Sequence, residues 1–335
     1  MKLKRLIWYS FPVLFVIVVY FLGPSPEQPQ FNKVIPAIPA EPEALERHVA
    51  FNDAKHNIKP GNDAEVVWYD STKARTEYAI LYLHGFSASK MEGDPTHRQF
   101  ARAFGCNLFL SRLSDHGIDT TETLMLFSVD RLWESAKEAL AITNQLGEKV
   151  IIVGTSTGAT IALKLAAEFP DRVHALINLS PNVEINNDAA FLLNDPWGLY
   201  IARAVMGGKY RVTGATAEHA RYWNKKYRLE SLTELQELTE EVNSKALFQR
   251  ITQPVLTLYY YQDETHQDPE VKVSAMLSMH EQLATPPELK EAVAIPKAGA
   301  HVIGSSLTSK DLPSVYSAME NFAIEKLKMN PVDSD

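Results

Sequence analysis

Apolar residues along this chain follow two rhythms. In six short stretches, "EYAILYLHG", "NLFLSRL", "KVIIVG", "HALINLS", "PVLTLYY" and "EAVAIPKAG", they run almost unbroken. Runs of this length, rich in β-branched and aromatic residues, predict strands buried on both faces. Between them lie longer amphipathic stretches such as "SVDRLWESAKEALAITNQLG" and "TGATIALKLAAEFPDRV", which predict helices. Further upstream, "ALERHVAFNDAKH" predicts a short helix and "IKPGNDAEVVWYD" a turn and a strand. The alternation predicts an α/β fold, a mainly parallel central sheet flanked by helices. One interval breaks it. Residues 183–250 are too many for a simple crossover and carry helical segments of their own. In "SLTELQELTEEV", Leu232, Leu235, Leu238 and Val242 share one face. This interval is expected to be an inserted helical cap on the functional edge of the sheet.

The N-terminus has a different pattern. Lys2, Lys4 and Arg5 precede an uncharged stretch from Leu6 to Leu22, "LIWYSFPVLFVIVVYFL". It is close to the lower limit of about 17 residues for a spanning helix. A cleaved signal is the rival reading, but "GPSPEQPQ" follows without an A-x-A site, and no cysteine is there to take a lipid. Residues 1–22 are therefore expected to be a retained single-pass anchor, with the bulk of the chain outside the cytoplasm because the cations lie on the short side. Residues 23–43 are proline-rich and read as a semi-rigid spacer. A single domain is expected over residues 44–330.

Composition narrows the function by exclusion. The chain has 335 residues, 45% of them hydrophobic and 22% charged, enough for a sizeable core. Its formal net charge is −8 and no long basic run occurs beyond the N-terminus, so no nucleic-acid partner is expected. Cys106 is the only cysteine, which excludes an internal disulfide and a cysteine-built metal site. No "HExxH"-type spacing is present, and no metal or cofactor is expected.

The chemistry begins at Gly154-Thr155-Ser156-Thr157-Gly158, where an apolar strand gives way to a helical pattern. This fits a nucleophile elbow: a tight strand-to-helix turn presents the serine, and only glycines two residues away leave room for neighbouring chain. A serine hydroxyl needs a base, and the base needs an orienting acid. His301, in the small-residue turn after the last strand, is the expected base. His280 reads as a helix residue, and His266 follows too closely on the preceding strand. For the acid, "PVLTLYYYQDETHQD" offers Asp263, Glu264 and Asp268. Asp263 is preferred as the first carboxylate beyond the strand, and Asp268 reads as a solvated loop charge. The backbone N–H groups of Thr157 and Phe86 are the expected oxyanion donors, and His84 is expected to hold the Phe86 loop.

Four blocks in order, "LYLHGFSAS", "LSDHGID", "IVGTSTGA" and "PVLTLYYYQDET" with "GAH", resemble the α/β-hydrolase superfamily, in particular its monoglyceride-lipase and carboxylesterase branch. The resemblance spans about residues 48 to 327. It implies a Ser156, Asp263 and His301 triad with Phe86 and Thr157 as oxyanion donors. Two departures stand out: Tyr260 where the acid loop usually has glycine, and Asp115 where "GHG" is usual. The expected activity is serine-dependent cleavage of carboxylic esters, on a small-molecule ester or lipid substrate. An aminopeptidase or acyltransferase would use the same machinery, and a binding module that kept the fold is the alternative of another class. In the cap, Phe191, Leu192, Leu193, Trp197, Leu199, Tyr200 and Met206 are expected to form mainly its own core, with a subset facing the serine.

Overall fold

A computed structural model of the protein describes residues 14–214 and 216–332. Most of the expected anchor therefore lies outside the described residues; residues 14–21 are helical. Among the described residues no helix is long and apolar enough to cross a membrane.

The strands, numbered in chain order, are β1 (Glu65–Val67), β2 (Thr76–Leu83), β3 (Asn107–Leu110), β4 (Gly147–Thr155), β5 (Ala175–Leu179), β6 (Tyr210–Val212), β7 (Lys226–Arg228), β8 (Val255–Tyr259), β9 (Tyr261–Asp263), β10 (His266–Gln267) and β11 (Lys290–Ala294). Seven form one sheet in the order β1-β3-β2-β4-β5-β8-β11. Only β1 runs antiparallel to its neighbour; every other pair is parallel. The two remaining pairs, β6 with β7 and β9 with β10, are small antiparallel hairpins. All six unbroken apolar runs became strands of the sheet.

The longer helices are α1 (Pro42–Asp53), α2 (Thr96–Ala103), α3 (Val129–Leu146), α4 (Thr157–Glu168), α5 (Gly198–Met206), α6 (Glu230–Val242), α7 (Val273–Gln282) and α8 (Leu312–Glu325). They cover both faces of the sheet because side chains on each strand alternate between faces. On β2, Ala79, Leu81 and Leu83 join α3, α4 and α7 in one core. Ile80 and Tyr82 join α2 and α8 in the other. Ser128 caps α3 by accepting from the Arg131 N–H.

The interval between β5 and β8 holds α5, the β6–β7 hairpin and α6. On α6, Leu235, Leu238 and Val242 are buried and Leu232 packs against the core, the face expected from the spacing. The first half of the interval differs from expectation. Phe191, Tyr200, Ile201, Val205 and Met206 are exposed, so α5 is not the centre of a cap core.

The proline-rich segment has no helix or strand over residues 24–40, as its prolines dictate. It does not stand clear of the domain, however. Phe31 is buried, edge-on to Trp133 at 5.6 Å, and the Lys164 ammonium sits 4.0 Å above its ring. Trp133 Nε1 donates to the Asn32 carbonyl at 2.6 Å and the buried Lys137 to the Val34 carbonyl at 2.8 Å. Lys33 pairs with Glu168 at 2.7 Å. One buried aromatic converts the spacer into a strap across α3 and α4.

Candidate active site

Ser156 stands between β4 and α4 with φ 52° and ψ −120°, a backbone region that L-residues rarely enter. The two flanking glycines have separate reasons. A Cβ on Gly154 would lie 2.7 Å from Ala159 backbone, in the first turn of α4. A Cβ on Gly158 would lie 2.0 Å from the Leu83 carbonyl oxygen, so only glycine lets α4 start against the end of β2. The turn is held by the Ser156 N–H donating to Leu179 O at 2.9 Å.

His301 arrives from the turn after β11. Its carbonyl accepts from Ser180 Oγ at 2.7 Å, in the loop that leaves β5. Its Nδ1 lies 2.7 Å from Asp268 Oδ2. The other oxygen, Oδ1, accepts the N–H groups of Glu270 and Val271 at 2.9 and 3.0 Å. The Asp268 side chain is completely buried. Burial opposes charging of His301, but the neighbouring Asp268 charge and its hydrogen bond win, and the imidazole pKa is raised.

The structure thus corrects the choice of acid. Asp263 does not reach His301. Its carboxylate is half exposed, takes hydrogen bonds from Thr265 and His266, and is held well below the usual range, chiefly by the Thr265 hydroxyl. The cause is topological. The β9–β10 hairpin carries the first carboxylate out to solvent, then returns, and the Asp268 N–H bonds to Tyr260 O at 3.1 Å. The first acid in sequence is at the hairpin tip, while the first acid in space comes after it. Tyr260, at the position where glycine was expected, was the available signal that this loop is built differently. The rejected histidines lie elsewhere: His266 is exposed beside Asp263, and His280 is buried on α7 beside Thr257 Oγ1 at 3.0 Å.

The loop His84-Gly85-Phe86 follows β2. The His84 ring is fully buried, which keeps it neutral, with its pKa well below the usual value. Nε2 accepts the Leu113 N–H at 3.1 Å, so Nδ1 carries the proton and donates to the Gly85 carbonyl at 2.9 Å. The Ala88 N–H reaches that carbonyl as well, at 3.3 Å. In a planar trans peptide the C=O and the next N–H point opposite ways. Anchoring Gly85 O therefore aims the Phe86 N–H away from His84. Among the described residues that N–H has no protein acceptor. The expected loop-holding role of His84 agrees with this geometry.

Aromatic residues that the sequence did not single out surround this loop. The Phe86 ring is edge-on to Phe127 at 5.4 Å and to the cap's Tyr227 at 5.2 Å. The cap's Asn224 N–H donates to Ser87 O at 2.8 Å. Asp115, the other departure, has φ 64° and pairs with Arg131 through two contacts of 2.8 Å. Aspartate tolerates the left-handed conformation that glycine would otherwise supply, and Arg131 neutralises it. Among the described residues no cluster of His, Cys, Asp or Glu is placed to hold a metal ion.

Comparison with known proteins agrees with this architecture. A family model described as alpha/beta hydrolase fold matches residues 78–307. No curated protein matches the chain. Among solved structures, one from work on two metagenome-derived lipolytic enzymes aligns with TM-score 0.62 at 16% identity, over 79% of this chain and 98% of its own. A soluble variant of the Saccharomyces cerevisiae monoglyceride lipase aligns with TM-score 0.58 at 13% identity, over 78% and 90%. The Paleococcus ferrophilus monoacylglycerol lipase aligns with TM-score 0.57 at 13% identity, over 78% and 98%. At these identities the likeness establishes the fold alone.

Proposed function

The chain belongs to the α/β-hydrolase family, and from that premise we propose that it is a serine hydrolase cleaving carboxylic esters, of monoacylglycerols or of short to medium acyl chains. The observation that carries this reading is the His301–Asp268 pair at 2.7 Å, at the sheet edge where Ser156 stands on its elbow. Ser156 Oγ attacks the acyl carbonyl while His301 Nε2 takes its proton. Asp268 keeps the other proton on Nδ1 and balances the imidazolium that forms. The oxyanion is received by the Phe86 and Thr157 N–H groups. Collapse expels the alcohol, which takes the proton from His301, and water then releases the acyl group by the same route.

The preference for lipid-derived esters rests on three supports. The fold neighbours include lipases acting on monoglycerides. The loop beside the serine is walled by Phe86, Phe127 and Tyr227. Each methylene buried against such a wall contributes about 0.8 kcal/mol, which favours acyl chains over acetate. Membrane association through the N-terminal segment belongs to the same proposal. Trp197 of the cap donates from Nε1 to Val19 O at 3.0 Å, and α5 beside it exposes Ile201, Val205 and Met206.

Labelling with a fluorophosphonate tests the reading. Wild-type protein is expected to react covalently, and Ser156→Ala to lose the signal while keeping its melting transition. Undiminished labelling of Ser156→Ala would sink the assignment. Peptide p-nitroanilides are expected to be poor substrates beside p-nitrophenyl butyrate.

A further inference from the structure

One buried acid has no part in the steps above. Glu92 lies in a short 3₁₀ turn, Lys90–Gly93, and is almost wholly buried. Its Oε2 accepts the Gly85 N–H. A Cβ on Gly85 would lie 2.8 and 3.0 Å from the two Glu92 oxygens and 3.0 Å from Ser156 Cβ. The carboxyl and the serine therefore flank the same glycine. With His84 gripping the Gly85 carbonyl, Glu92 completes a clamp on both peptide groups of that residue. No Lys or Arg among the described residues pairs with it. Lys90, in the same turn, is engaged with Asp63 and Glu65, and Arg98 with Glu65 and Asp94. The titratable groups facing Glu92 from other elements are Tyr82 of β2 and His301. The Trp223 indole of the cap also favours the charged form of Glu92.

We propose that Glu92 is a positioning residue of the ester-cleaving site, which as a neutral carboxyl holds the oxyanion loop and on losing its proton turns the site off. It rests on the serine-hydrolase reading above. A carboxyl taken out of water with no cation beside it keeps its proton. Burial pushes Glu92 up to about 8, against the opposing pull of the Gly85 N–H, the His301 charge and Trp223. Below that pH the group is neutral, and Gly85 is held without placing charge near the reacting carbonyl. Above it, a carboxylate stands beside the place where the oxyanion forms, and like charges repel most strongly in a dry site.

The test is the pH dependence of kcat/KM for p-nitrophenyl butyrate, using the full chain. Wild type is expected to rise with deprotonation of His301 and to fall at least tenfold above a pH of about 8. Glu92→Gln keeps an acceptor for Gly85 but cannot ionise, so the alkaline fall should disappear. Glu92→Leu removes the acceptor, so kcat should drop at least tenfold at every pH with KM little changed, and Gln should recover more of kcat than Leu. An alkaline fall that persists unchanged in Glu92→Gln overturns the proposal, and this variant decides the matter even if Glu92→Leu does not accumulate. The two readings fail differently. Wild type that no fluorophosphonate labels would remove the serine-hydrolase reading and this inference with it. Labelled wild type with an unmoved alkaline limb in Glu92→Gln removes only this inference.

Discussion

A carboxylate is useful to an imidazole only if it is held still and kept from water. Asp268 meets both conditions: one oxygen is fixed by two backbone N–H groups and the other faces His301. Asp263 meets neither, since its partners are its own hairpin neighbours at the surface. Asp268→Asn is therefore expected to lower kcat by about 10⁴-fold, the size associated with removing a triad acid. Asp263→Asn should stay within a few-fold of wild type, because it disturbs only an exposed turn. Steady-state rates on p-nitrophenyl butyrate decide between them. A larger loss for Asp263→Asn would overturn the assignment. At this scale the sequence was nearly sufficient, because it contained both acids in one loop. It could not show which of them the β9–β10 hairpin would carry away.

Among the elements, contact between chain segments far apart in sequence does most to build the site. The elbow works because α4 begins against the Leu83 carbonyl, which Gly158 alone permits. The strap works because Phe31 enters a slot between Trp133 and Lys164 on α3 and α4. Removing a buried phenyl ring typically costs about 3 kcal/mol or more. Phe31→Ala is expected to lower the urea midpoint by an amount equivalent to about 3 kcal/mol with little change in slope. Val34→Ala, at a side chain that is 70% exposed, should leave the midpoint nearly unchanged. Equal midpoints for Phe31→Ala and wild type would show that the strap does not contribute to folding. Periodicity predicted the helices and strands well, since it is a local property. It read residues 23–43 as a spacer because one aromatic among prolines carries no periodic signal.

For the molecule as a whole, orientation relative to a membrane is the open proposal. Trp197 of the cap contacts Val19 in the N-terminal segment, and the neighbouring α5 exposes apolar side chains. The full-length protein is expected to stay with membranes after washing at high salt, and a chain lacking residues 1–22 to be released. Protease added from outside the cytoplasmic membrane should reach the domain. Mature protein that begins beyond Gly23 would instead reveal a cleaved signal. High-salt washing is informative because it strips charge-mediated contacts and leaves apolar insertion intact.

What the sequence determined by itself was whatever depends on neighbours along the chain. The buried runs of β2, β4, β5 and β8, the helical faces of α3 and α6, the strained turn at Ser156 and the small-residue turn at His301 all follow from periodicity and turn chemistry over a few residues. The tertiary structure alone decided which acid meets His301, that Tyr227 of the cap approaches Phe86, and that Glu92 lies against Gly85. The first two join segments separated by loops whose paths are set by long-range packing, and the third depends on the path of one irregular loop after β2. Residue order constrains such paths only weakly, and a short hairpin after β8 was enough to exchange one aspartate for another.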